Sequence, residues 1–184
     1  MTSNPIAKLV RILAQRLREQ GAWTTFLWAA DHTVRRITGA NILQLSRITP
    51  HLHVGGQYRR HGWPRLAARG VTAVVNVRIE FDDQEADIAP PRYLHLPTID
   101  DDAPSLQQLE QGALFIAQEI ERGGSVLVHC GAGVGRAATV AAAYLVHTGM
   151  EVEEAWACVQ RARPFIRPTQ VQIEQLERFA QAHG

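Results

Sequence analysis

One run constrains the fold of this chain more than any other: Ser125-Val126-Leu127-Val128-His129, then Cys130, then Gly131-Ala132-Gly133-Val134-Gly135, then Arg136 and an alanine-rich stretch from Ala137. The apolar residues before the cysteine predict a buried strand. The five small residues after it, three of them glycine, predict a tight loop whose backbone can approach a ligand closely. The alanine-rich stretch predicts a helix. A strand that feeds a helix through such a turn aims successive loop N–H groups and the helix N-terminus at one point, where they favour an anion. In an open α/β sheet that point lies at the carboxyl end of the strand, where ligands usually bind.

The rest of the chain alternates in the same way. Helices are predicted over 6–20 and 23–38, then a strand over 47–54 and a short helix over 64–69. Strands follow over 71–77 and 93–96. An amphipathic helix spans 106–122, ended by Gly123-Gly124. After the strand at 125–129 come helices over 137–148, 152–162 and 169–183. This order predicts an α/β fold, a central, mostly parallel twisted sheet flanked by helices. It also predicts an N-terminal helical extension over 1–45 and one further domain over 46–184.

The residues at the two ends of the loop specify its chemistry. A cysteine held in that field is pushed toward thiolate, and a guanidinium clamps two phosphoryl oxygens at once. His129-Cys130-x-x-Gly133-x-x-Arg136 resembles the signature loop of the protein tyrosine phosphatase superfamily, most closely its small dual-specificity branch. Tyr93-Leu94-His95-Leu96-Pro97-Thr98-Ile99-Asp100-Asp101-Asp102-Ala103-Pro104-Ser105 is similar to that branch's general-acid loop. Thr49-Pro50-His51-Leu52-His53-Val54-Gly55-Gly56 resembles its opening strand, and Arg163-Pro164-Phe165-Ile166-Arg167-Pro168 its C-terminal end.

The resemblance implies roles for these residues. Cys130 attacks phosphorus and forms a cysteinyl-phosphate. Arg136 and the N–H groups of Gly131, Ala132, Gly133, Val134 and Gly135 hold the phosphoryl oxygens. Asp100 is the general acid by register, and a shift in register would hand the role to Asp101 or Asp102. His129 tunes and orients the loop rather than transferring a proton. No cofactor and no metal are implied. One departure stands out: the family usually places Ser or Thr after the arginine, and this chain has Ala137. Plant glucan phosphatases are similar at this loop and share that alanine. Ala137 is also the one feature that points to a rival reading, a module that binds phosphorylated partners without turnover.

Residues 1–47 carry seven basic and two acidic side chains, a balance of +5, against −4 for the remainder. A total of +1 gives no reason to expect nucleic acid. Ile6, Leu9, Val10, Leu13 and Leu17 share one helix face, so 6–20 could rest weakly on an anionic membrane. Packing on the catalytic domain through Trp23, Phe26, Leu27 and Trp28 is the expected arrangement instead. No apolar run is long enough to span a bilayer, and no secretory leader is visible. Two cysteines make no disulfide framework. Cys158 reads as a small apolar residue, or as a thiol that protects Cys130. A reducing cytoplasm suits a catalytic thiol.

The expected substrate is a phosphorylated protein or a small phosphoester. The loop's variable residues include no Lys or Arg, which weighs against polyphosphorylated inositol lipids. Glu80, after Asn76-Val77-Arg78, resembles only weakly a segment of lipid-phosphate members. Gln170 and Gln172 read as a solvated helix start, with positioning of the hydrolytic water as the alternative.

Overall fold

The computed structural model describes residues 5–183; the side chains of residues 5–9, Leu43 and His183 lie outside the description. Four strands, β1 (Leu52–Gly56), β2 (Ala73–Arg78), β3 (Arg92–Thr98) and β4 (Val126–Cys130), form one parallel sheet in the order β1-β4-β2-β3. The helices are α1 (Pro5–Thr38), α2 (Trp63–Ala67), α3 (Leu106–Glu121), α4 (Arg136–His147), α5 (Val152–Ala162) and α6 (Gln170–His183).

Alternation along β4 divides the core in two, because successive side chains point to opposite faces. Val126 and Val128 join a large cluster with Val54, Val75, Leu109, Ile116, Leu176 and Phe179. Leu127 joins a smaller one with Tyr58, Leu66, Val71 and Val74 on the other face. Helix α4 crosses the large cluster with Ala137, Ala138, Ala141, Ala142 and Ala143 all fully buried. Side chains this small let its backbone lie close to the sheet and bring its N-terminus over the end of β4.

Two expectations are corrected in detail. The first strand begins at Leu52 rather than at 47, because the chain bends through Thr49-Pro50-His51; Arg47 keeps only an isolated antiparallel bridge to His53. Pro50 has no N–H to give to a ladder.

The second concerns the extension. Helix α1 breaks at Gly21 (φ 80°, ψ 170°), the left-handed conformation that favours glycine. The break separates the two predicted helices and resets the phase of the second. Trp28, Asp31 and Arg35, at helical spacing, turn toward the domain. Trp28 is buried, whereas Trp23 and Phe26 stack on each other at 5.6 Å and stay exposed. Polar groups complete the docking. Arg16 donates to the Phe165 carbonyl at 3.4 Å and Gln20 to the Ile166 carbonyl at 3.0 Å. The Arg16 guanidinium lies 4.6 Å above the Trp28 ring, and Glu19 pairs with Arg167 at 2.7 Å.

Candidate active site

Strand β4 is flanked by β1 and β2, so Cys130 arrives at the carboxyl edge of the sheet between two neighbours. The loop 131–135 then folds back over β1. At Gly133 (φ 68°) a Cβ would sit 2.3 Å from the Gly55 carbonyl carbon, so only glycine fits there.

Four consecutive carbonyls of this loop are each held by a donor from outside it. Gln57 N–H donates to Gly131 O at 3.3 Å, and Arg167 N–H to Val134 O at 2.7 Å. Between them, Arg163 donates through Nη2 to Ala132 O at 3.0 Å and through Nε to Gly133 O at 2.6 Å. In a trans peptide the N–H points opposite to the carbonyl. Pinning these carbonyls outward therefore turns the N–H groups of Ala132, Gly133, Val134 and Gly135 inward. The Gly133 N–H meets the Cys130 sulfur at 3.2 Å. A concave nest of backbone donors is an anion site.

Arg136 opens α4 and is 2% exposed. Its Nη1 donates to Thr98 O at 2.7 Å and to Glu80 Oε2 at 2.9 Å. Its Nη2 donates to Glu80 Oε1 at 2.9 Å and lies 2.7 Å from Asp100 Oδ1. The two-pronged bond from Arg136, supported by Arg78 at 2.9 Å, holds the Glu80 carboxyl down at about 2. Glu80 thus fixes the plane of the guanidinium.

The acidic triplet divides clearly. Asp100, with its side chain 77% exposed, reaches the Arg136 guanidinium. Asp101 takes φ 63°, and its carbonyl accepts from Thr169 Oγ1 at 3.0 Å. Asp102 turns its carboxylate onto the Ala103 N–H at 2.8 Å, while its carbonyl accepts from Gln172 Nε2 at 2.8 Å. The start of α6 therefore holds the acidic loop over the nest. Gln172 is 1% exposed, which corrects the expectation of a solvated residue; Gln170 is exposed and donates to Glu174 at 3.1 Å. A cavity of about 230 Å³ is lined by Cys130, Arg136, Asp100, Asp101, Arg167 and Gln172 with the loop itself.

His129 does not line that cavity. It is fully buried, with Nε2 at 2.6 Å from Asp83 Oδ2 and the Tyr58 ring edge-on at 5.4 Å. Asp83 also accepts from Gln57 Nε2 at 2.7 Å. Sequence reasoning missed Asp83, Gln57, Asp31 and Arg163 as supports of the loop. The available signal was thin: Asp31 is one of only two acidic residues before position 48. Cys158 packs partly buried against the large core cluster, and both cysteines are free thiols.

Comparison with known proteins agrees with this geometry. The family described as dual specificity phosphatase, catalytic domain, matches residues 52–182. The chain is 34% identical over 136 residues to mouse dual specificity protein phosphatase 14, covering 73% of this chain and 68% of the relative. With human dual specificity protein phosphatase 1 the identity is 31% over 134 residues, covering 72% of this chain but only 36% of the relative. Human DUSP28 superposes with a TM-score of 0.66 at 29% identity, covering 74% of this chain and 96% of that one. PTPMT1 in complex with PI(5)P superposes with a TM-score of 0.67 at 28% identity, covering 74% and 94%. A nest of inward N–H groups between a cysteine and an arginine, on a sheet shared with these proteins, makes the chain a member of the dual-specificity phosphatase family and a cysteine-dependent phosphoester hydrolase.

Proposed function

We propose that this protein removes phosphate from phosphotyrosine and phosphoserine or phosphothreonine in proteins through a cysteinyl-phosphate intermediate. The observation that carries the reading is the nest: four carbonyls drawn outward, with Cys130 and Arg136 at its ends and Asp100 2.7 Å from the guanidinium.

In the first step the Cys130 thiolate attacks phosphorus, and the S–P bond forms as the bond to the leaving oxygen breaks. Asp100 gives that oxygen its proton. Arg136 and the inward N–H groups hold the three remaining oxygens as charge redistributes. In the second step water attacks phosphorus, Asp100 takes its proton, and Cys130 departs as thiolate. His129, sealed against Asp83, orients the strand end. Residues 1–45 are the extension and 46–184 the catalytic domain in this reading, and the thiol chemistry belongs in a reducing cytoplasm.

A second reading is a glycan or lipid phosphate as substrate, and the likeness to PTPMT1 in complex with PI(5)P favours the lipid. The absence of basic residues in the nest weighs against lipids with several phosphates. For residues 6–20 we propose a weak contact with anionic membrane surfaces: Val10 and Leu17 stand exposed, each followed in sequence by an exposed arginine, Arg11 and Arg18. Among the described residues no helix is long and apolar enough to cross a membrane.

The test is a panel of phosphotyrosine and phosphothreonine peptides, a phosphoglucan and a mono-phosphorylated inositol lipid, assayed with a chelator present. Highest kcat/KM on the peptides supports the first reading; preference for the glucan or the lipid overturns it. Failure of the intact chain to bind phosphatidylserine vesicles ends the membrane contact.

A further inference from the structure

Arg163 is fully buried and uses every donor it has. Nε and one Nη2 hydrogen hold the carbonyls of Gly133 and Ala132. Nη1 donates to Leu45 O at 2.9 Å and to Ser46 Oγ at 3.3 Å. The last hydrogen, on Nη2, goes to Asp31 Oδ2 at 3.0 Å. Asp31 is itself 2% exposed and lies on α1. It is the carboxylate that balances this buried cation. The same Oδ2 accepts from Asn41 Nδ2 at 2.8 Å, and Oδ1 accepts from the Ile42 N–H at 2.9 Å. Asn41 passes the connection on, accepting from the Gly56 N–H at the end of β1 at 3.0 Å.

One carboxylate on the extension therefore reaches the nest through Arg163 and the end of β1 through Asn41. Residues 52–182 match the family, so Asp31 is supplied from outside the shared domain. Resting on the phosphatase reading, we propose that Asp31 is a positioning residue for catalysis: through Arg163 it fixes the peptide planes that aim the Gly133 N–H at the Cys130 sulfur and the Val134 N–H at the phosphoryl group. The extension is then a working part of the active site. A buried guanidinium that loses its counter-charge turns toward other acceptors or toward water. Either movement releases the two carbonyls and lets their N–H groups swing off target.

A purely structural ion pair would cost thermal stability and leave the folded enzyme's kinetics alone. The two roles are separated by assaying full-length wild type, Asp31→Asn and Arg163→Lys well below their melting temperatures. The readouts are kcat and KM for para-nitrophenyl phosphate and the inhibition constant of vanadate. Arg163→Lys keeps a cation beside Asp31 but loses the fork that grips two carbonyls, so it tests the same link if the first variant does not fold.

Positioning predicts that each folded variant binds vanadate about tenfold more weakly and loses about a hundredfold in kcat/KM, the size of losing one preorganised donor. A folded variant with lowered melting temperature but wild-type vanadate inhibition and kcat overturns the proposal. Wild type that neither turns over nor binds vanadate overturns the phosphatase reading and this proposal with it. A normal wild type beside unaffected variants sinks this proposal alone.

Discussion

Restoring a hydroxyl beside the nucleophile should change which step limits turnover. Among the described residues the Cys130 sulfur accepts its hydrogen bond from the Gly133 N–H at 3.2 Å. No hydroxyl from α4 is directed to it: Ala137 has none, and Thr139 Oγ1 donates to Gly135 O at 3.2 Å. The sulfur must leave as thiolate when the phosphoenzyme breaks down, so that step suffers most from the missing donor. A hydrogen bond to a charged group is worth about 1.5–3 kcal/mol. At about 1.4 kcal/mol per tenfold in rate, this corresponds to roughly 10–100-fold. Wild type should therefore release close to one equivalent of para-nitrophenol in a burst before a slow steady state in rapid-quench experiments. In Ala137→Ser the burst should vanish and kcat should rise until phosphoenzyme formation limits it. The added oxygen enters a fully buried position and should cost about 1 kcal/mol, a few degrees in Tm for a chain of this size. No burst in wild type together with an unchanged kcat in a folded Ala137→Ser would show that the missing hydroxyl does not limit phosphoenzyme breakdown.

Three further outcomes follow from the geometry. Asp100→Asn should lower kcat/KM about 10²–10³-fold on phenyl phosphate and far less on para-nitrophenyl phosphate, whose leaving group needs little protonation; equal losses on both would move the acid to another residue. Glu80 is held at about 2 by Arg136, so it stays ionised from pH 4 to 8, and Glu80→Gln should lower kcat/KM without moving the acid limb of the pH profile. His53 is lowered to about 4 by burial, with Arg47 and His51 adding to it. The unfolded chain, with an ordinary histidine near 6.5, binds more protons between these values. The stability held above about pH 6.5 is therefore lost as pH falls toward 4, by about 2 kcal/mol at pH 5. Urea titrations should find this drop reduced in His53→Gln.

What the sequence revealed was whatever it encodes locally. The strand–loop–helix run, the succession of four strands along the chain and the glycine-ended α3 depend on neighbours within a turn or two. Asp100 was singled out because it sits at a fixed place in a short loop, and it lies 2.7 Å from the Arg136 guanidinium. What escaped detection was pairing across the chain. Asp31 meets Arg163, Asp83 meets His129, and Glu80 meets Arg136 across 132, 46 and 56 positions. No periodicity marks such pairs, because each involves one polar residue on an otherwise apolar or irregular segment. Trp23 and Phe26 escaped for another reason. Their apolar character predicts burial, but the break at Gly21 decides which face of α1 meets the domain, and it turned them to solvent.

If phosphate passes through Cys130, it can be trapped there. The full-length protein would be mixed with para-nitrophenyl phosphate in the presence of a chelator, quenched within milliseconds, digested and mapped by mass spectrometry. One phosphoryl group is expected on the peptide carrying Cys130, absent in Cys130→Ser along with turnover. Sustained turnover in Cys130→Ser, or phosphate found on a different residue, would contradict a route through Cys130.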